Sequence, residues 1–283
     1  MKIIVTGVKG QLGYDVVREL KSRGYSDILG IDIEDLDITN EGAVVEFFKL
    51  NNPYAIIHCA AYTAVDKAED DINLCMRVNY TGTKLLVEQA KLYNSKFVYI
   101  STDYVFDGNK TSSYEVEDLA NPQSVYGATK YLGEQATRNH EKHFIVRISW
   151  VFGKNGNNFV KTMLRLGKEK PYLNVVNDQA GSPTYTYDLS RLLVDMIETD
   201  KYGTYHATNE ESCTWYEFTK EIFKLTGIKT PVNSILTNEY PTKAKRPKNS
   251  LMSKNSLDTN GFKRLPSWKD ALYRYFKEIE VIK

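Results

Sequence analysis

The first half of the chain alternates short, almost wholly apolar runs with longer stretches whose apolar positions recur every three to four residues. The runs Lys2–Thr6, Asp27–Ile31, Ala55–Cys59, Lys96–Ser101 and Phe144–Ser149 predict strands. The stretches Gln11–Arg23, Asn40–Leu50, Ile72–Tyr93 and Ser124–Asn139 between them predict helices. Strands that are apolar on both faces and alternate with helices imply a parallel sheet covered on both sides. In such sheets ligands bind beyond the carboxyl ends of the strands. Gly7, Asp32, Ala60, Ser101 and Trp150 fall at those ends.

The second half is less regular. Phe159–Leu166, Tyr187–Ile197, Trp215–Leu225 and Ser267–Phe276 predict helices, Tyr172–Val176 and Thr204–Ala207 strands, and Asn-Gly, Asn-Pro and Ser-Pro steps punctuate them. The expected fold is α/β, a Rossmann-type doubly wound parallel sheet with a smaller C-terminal lobe. Residues 1–150 are expected to bind a dinucleotide and residues 151–283 to form mainly the substrate lobe, with some later segments returning to the sheet.

Composition narrows the function classes. A chain of 283 residues, 42% hydrophobic and 26% charged, can bury a sizeable core. A net charge of +1 gives no electrostatic case for nucleic acid or an acidic membrane surface. Cys59, Cys75 and Cys213 form no CxxC pair and read as thiols in a reducing compartment. With no signal-peptide pattern and no run long enough to cross a bilayer, a cytoplasmic protein is expected.

Candidate chemistry begins at Gly7-Val8-Lys9-Gly10-Gln11-Leu12-Gly13, between the first strand and the first helix. Gly7 permits the tight turn, Gly10 a close approach of a pyrophosphate, and Gly13 close helix–strand packing. The helix end offers amides and a positive dipole to phosphates. Asp32 ends the second strand, where a carboxylate accepts from an adenosine ribose hydroxyl. Ile33-Glu34-Asp35 follow it, so a 2′-phosphate would meet negative charge and NADH should be preferred over NADPH. Asp37-Ile38 is expected beside the adenine, or as a helix cap, and Ala60-Ala61-Tyr62 along the dinucleotide.

Tyr126 and Lys130 are four residues apart, hence on one helix face. A phenol is protonated at pH 7 and suits a proton donor, and a nearby cation would lower its pKa. Taken alone the pair reads better as an aromatic core residue and a solvated lysine, because Tyr-x-x-x-Lys arises often by chance. Thr102, at the fourth strand's end, could donate to a ketone oxygen.

The glycine loop, Thr102, Tyr126 and Lys130, in that order, resemble the extended short-chain dehydrogenase/reductases. Ala60–Glu69, Ser101–Phe106, Arg147–Val151, Asn157–Val160, Asp178–Thr184 and Arg246–Ser250 extend the resemblance, over nearly the whole chain, to the dTDP-4-dehydrorhamnose reductase family. That resemblance implies reduction of a nucleotide-linked 4-keto-6-deoxysugar by NADH or NADPH. Tyr126 would be the proton donor, Lys130 would hold the nicotinamide ribose, and Thr102 would orient the carbonyl. Asp103, Tyr104 and Trp150 would contact the sugar, and Asn158 and Arg246 the nucleotide diphosphate.

Related epimerases and dehydratases share the glycine loop and the Tyr/Lys pair. Dehydratases carry a second acid after the Thr, whereas here Tyr104 follows Asp103, which favours simple reduction. A non-catalytic relative, the regulatory subunit of methionine adenosyltransferase, is the rival from another class. Some family members bind Mg²⁺ at a dimer interface. Asp15 and Asp188 fall at similar positions, but two scattered carboxylates are a poor octahedral set, so no metal is expected to be required. The chain could be a monomer or a homodimer. His140 and His143 read as solvated helix residues.

Overall fold

The computed structural model describes residues 1–282. In chain order β1 (Ile3–Thr6) leads into α1 (Gln11–Ser22), β2 (Ile28–Ile31) into α2 (Glu41–Asn51), and β3 (Ala55–His58) into the short helix α3 (Val65–Ala68). A long helical run follows: α4 (Ile72–Met76), a π-helical stretch Arg77–Gly82, and α5 (Thr83–Leu92). Next come β4 (Lys96–Thr102), α6 (Val125–Thr137) and β5 (His143–Ile148). The second half holds β6 (Val151–Phe152), α7 (Phe159–Glu169), β7 (Leu173–Val176), β8 (Ala180–Gly181), β9 (Thr184–Tyr185), α8 (Thr186–Ile197) and β10 (Gly203–His206). After these lie β11 (Asn209–Glu210), β12 (Cys213–Thr214), α9 (Trp215–Thr226), β13 (Val232–Ile235), α10 (Asn255–Thr259), β14 (Leu265–Ser267) and α11 (Trp268–Glu278).

Six strands form one parallel sheet in the order β10-β5-β4-β3-β1-β2. This is the expected doubly wound α/β architecture. Ile3 and Val5 of β1 pack with Val16, Leu20, Leu189 and Leu193 of α1 and α8. Ile4, between them, packs on the opposite face with Phe48, Ile56, Leu86 and Phe97. Alternate side chains of one strand therefore reach two different cores, which is why the strand is apolar throughout. From β1 the chain winds outward to β2, then crosses back to β3 on the other side. The carboxyl ends of β1 and β3 thus flank the crevice where the winding reverses.

Outside the sheet, Phe152, Tyr185, Phe218, Trp268 and Tyr275 build a second, largely aromatic core. Short strand pairs tie this region together: β7 with β13, β8 with β12, β6 with β9 and β11 with β14. His140 departs from expectation. The helix α6 ends at Thr137, and His140 lies buried in the following turn with Nε2 2.6 Å from the Ser95 carbonyl oxygen. Among the described residues no helix is long and apolar enough to cross a membrane.

Candidate functional site

One cleft of about 1700 Å³ runs along the carboxyl ends of the sheet strands and under the second lobe. At its floor Gly7 adopts φ +69°, and a Cβ there would stand 2.8 Å from the Ala60 amide nitrogen. Only glycine lets β1 and the Ala60 backbone approach this closely. A Cβ on Gly13 would meet the Gly7 carbonyl oxygen at 2.3 Å, so the start of α1 also depends on its absence. The N-cap of α1 is Gly10, and no side chain caps the first amides. Those amides face the cleft with the helix dipole behind them, a fit for a pyrophosphate.

Asp32 lines the same cleft, accepting from the backbone amides of Lys9 and Ile33 at 2.9 Å each. Lys9 pairs with Glu34 at 2.8 Å on the exposed rim. Asp37 and Ile38 also line the cleft. Asp37 accepts from the amide and hydroxyl of Thr39, which holds its carboxyl below the usual range, while Ile38 is buried. Ala60, Ala61 and Tyr62 form the wall beyond β3.

That wall is fastened by a residue the sequence reading passed over. Asn79, buried in the π-helical stretch, accepts from the Tyr62 amide at 2.8 Å and donates to the Tyr62 carbonyl at 3.1 Å. π-Helical turns recur at functional sites, and this one aims Asn79 at the loop. Beneath it the Ala60 amide donates to Thr6 Oγ1. Because the Thr83 hydroxyl gives its proton to the Asn79 carbonyl, His58 donates from Nε2 to Thr83 and accepts from the Thr6 hydroxyl on Nδ1 at 2.8 Å. His58 is buried and its pKa is pushed down to about 3, so it is neutral.

The candidate chemistry gathers on α6 and the end of β4. Ser124 caps α6 by accepting from the Gly127 amide. A Cβ on Gly127 would stand 2.2 Å from the Tyr104 carbonyl oxygen, so glycine brings α6 against the turn after β4. The Tyr126 and Tyr104 rings meet edge to face at 5.6 Å, and Thr102 lines the same part of the cleft. Burial pushes the Tyr126 phenol up, and the neighbouring Thr102 hydroxyl works against that shift. Lys130 is buried and its pKa is pushed down to about 7 by that burial, with Glu134 opposing. The cation was expected to lower the Tyr126 pKa. Desolvation outweighs that effect, raising the pKa of the phenol and lowering that of the ammonium.

Asp103 is buried, taking the Thr102 hydroxyl on Oδ1 at 2.9 Å and the Ser250 hydroxyl on Oδ2. Burial raises its pKa to about 6. Arg246 lines the cleft with one guanidinium nitrogen on Tyr104 Oη at 2.8 Å and another on Asp66. Trp150, at φ +51°, stacks on Trp215 with ring centroids 3.5 Å apart and planes at 11°. Trp215, which no sequence signal singled out, is brought there by the N-terminus of α9. Asn158 is not on the cleft wall. Its side chain caps α7 through the Lys161 amide and donates to Gln11 Oε1 and the Gly153 carbonyl.

The two candidate metal ligands are otherwise engaged. Asp188 takes both terminal nitrogens of Arg274 at 2.7 Å, and Asp15 accepts from Thr186. Among the described residues no group of three His, Cys, Asp or Glu side chains could hold a metal.

The RmlD substrate binding domain family matches residues 1–281. The dTDP-4-dehydrorhamnose reductase of Aggregatibacter actinomycetemcomitans is 41% identical, covering 96% of this chain and 97% of the relative. The chain belongs to the dTDP-4-dehydrorhamnose reductase family. Spore coat polysaccharide biosynthesis protein SpsK of Bacillus subtilis is 37% identical over 98% of this chain and 97% of its own. Among solved structures, the dTDP-4-dehydrorhamnose reductase of Bacillus anthracis in complex with NADP is 46% identical, with TM-score 0.95 over 98% of this chain and all of that one. Its Clostridium acetobutylicum counterpart is 43% identical, with TM-score 0.97 over 99% of this chain and 100% of the other. A UDP-glucose 4-epimerase of Thermus thermophilus shares the fold at 18% identity and TM-score 0.85. Family membership makes the chain an NAD(P)H-dependent oxidoreductase.

Proposed function

We propose that this protein reduces the C4 ketone of dTDP-4-dehydro-L-rhamnose to dTDP-L-rhamnose with NADH or NADPH, and that Tyr126 is the proton donor. The observation that carries this reading is the convergence of Thr102, Tyr126 and Lys130 on the cleft that the uncapped α1 terminus and Asp32 also line. The nicotinamide cofactor, when bound, supplies the hydride.

Gly7, Gly10, Gln11, Leu12 and Gly13 receive the pyrophosphate, Asp32 the ribose hydroxyls, and Asp37, Ile38 and Ala60–Tyr62 flank the dinucleotide. Tyr126 releases its proton to the sugar oxygen as charge develops there. Thr102 orients that oxygen. Lys130 lies one turn from Tyr126 and near its own neutral–charged divide, so a forming phenolate draws charge onto it. Trp150, backed by Trp215, offers the deoxysugar an apolar wall. Arg246 can exchange Asp66 for a diphosphate oxygen, and its planar fork suits that exchange.

NADH is the preferred donor in this reading, with NADPH accepted. Asp32, Glu34 and Asp35 crowd the ribose end, and the adjacent Lys9 is already paired with Glu34. A cytoplasmic site of action fits the three free cysteines.

The test is to supply dTDP-4-dehydro-L-rhamnose made with the preceding epimerase, follow NADH oxidation and identify the sugar by NMR. One NADH consumed per dTDP-L-rhamnose formed is the expected outcome. A cofactor recycled without net oxidation, or no substrate-dependent oxidation, would replace this reading with an epimerase or a binding subunit.

A further inference from the structure

The Lys130 ammonium is buried, yet among the described residues it makes no hydrogen bond or ion pair. Its close neighbour is an aromatic ring: Nζ stands 4.1 Å from the centroid of Tyr99 on β4. The same phenol donates to the Lys130 backbone carbonyl at 3.0 Å. Tyr99 is fully buried, and its hydroxyl occupies the space a Cβ on Gly133 would take, 2.2 Å away. One turn of α6 is thus carved by glycine to admit this ring. Glu134, the nearest acid along the helix, is fully buried and points elsewhere. Its carboxylate receives the Ser101 hydroxyl at 2.6 Å and two Arg147 nitrogens at 2.8 Å each.

We propose that Tyr99 is the positioning residue for Lys130, seating the ammonium on its ring face while its hydroxyl locks the helix turn that carries the lysine. A ring quadrupole attracts a cation most strongly where water is excluded. It does so without offering a proton acceptor, so the ammonium keeps its hydrogens for whatever enters the cleft. A carboxylate at the same place would hold Lys130 charged but would also occupy those hydrogens. The inference rests on the role proposed for Lys130. The other titratable or charged groups facing the ammonium are Glu134 and Tyr126 on its own helix, His58 and Cys59 at the end of β3, and Cys75 on α4. None of these supplies a paired charge.

The test reads Lys130 directly in the cofactor-free protein. Lysine-¹³Cε NMR, with the resonance assigned through Lys130→Arg, gives its titration midpoint. Tyr99→Phe keeps the ring and should leave the midpoint within about 0.3 pH units, while loosening the helix turn. Tyr99→Leu removes the π face and should lower the midpoint by about 0.5–1 unit, and weaken NADH binding several-fold by fluorescence titration. If Tyr99→Leu does not fold, a trifluorinated phenylalanine at position 99 depletes the same face at nearly constant shape and should give the same downward shift. An unchanged midpoint with either replacement overturns the proposal. Because this readout needs no turnover, its failure is distinct from failure of the assigned reaction.

Discussion

The Thr102 hydroxyl donates its single proton to Asp103 Oδ1, 2.9 Å away, in the cleft that Tyr126 also lines. Whether the proton stays there depends on Asp103, whose burial raises its pKa to about 6. Above that pH the carboxylate claims the Thr102 proton. Below it, the protonated carboxyl can itself donate, leaving the Thr102 proton free for Tyr126 or a carbonyl oxygen. Single-turnover reduction should therefore rise about two- to tenfold as pH falls from 7.5 to 5, and the step should vanish in Asp103→Asn. A step of equal size in Asp103→Asn would assign the titration to another group.

Tyr126→Phe removes the proposed proton donor while keeping the ring that packs edge to face on Tyr104. Turnover should fall about 10²- to 10⁴-fold, with NADH affinity changed less than about threefold. Wild-type turnover in Tyr126→Phe would mean that a different group, or water, protonates the sugar.

Trp150 is held from two sides. Trp215 covers one face, and a Cβ on Gly181 would come within 2.5 Å of the indole. Gly181→Ala must therefore displace Trp150, and Trp215→Leu removes its stacking partner. Both should raise the KM for the nucleotide sugar about two- to tenfold and leave the NADH dissociation constant unchanged, since the two rings are assigned to the sugar and not to the dinucleotide. Equal losses for sugar and cofactor would point to a general loosening of the second lobe.

The parts of this molecule legible in the sequence are those that local rules determine. Gly7, Gly10 and Gly13 answer to a turn, a phosphate cradle and a helix–strand contact within a few residues of one another. The six-stranded sheet follows from runs that are apolar on both faces. Tyr126 and Lys130 share a face because helix periodicity requires it. What stayed hidden depends on tertiary approach. Trp215 meets Trp150 only because α9 docks across the cleft. Asn79 reaches Tyr62 because the helix widens into a π turn that no composition signal announces. Asn158 entered through the resemblance alone, and its role as the cap of α7 is set by the fold. The electrostatics diverged for a related reason. Sequence spacing reveals that a cation is near a phenol, but not that both are dehydrated, and desolvation decides the sign of both shifts.

Asp15 offers a test of stability rather than catalysis. It lies fully buried on α1, with Oδ2 accepting from Thr186 and Oδ1 without a hydrogen-bond partner, the nearest cation being Arg18 at 3.7 Å. Burial raises its pKa from 3.8 to about 6. The folded state therefore binds a proton more tightly than the unfolded chain, and ionisation destabilises the fold. That penalty is fully present above pH 6 and is relieved as pH falls through 6 toward 4. Asp15→Asn retains an acceptor for Thr186 and carries no charge. It should stabilise the protein by about 1–2 kcal/mol at pH 8, and the gain should shrink toward zero at pH 4.5. Urea unfolding of both proteins at the two pH values measures this directly. A difference that does not change with pH would show that Asp15 is already compensated in the folded state and that its orphaned oxygen costs nothing.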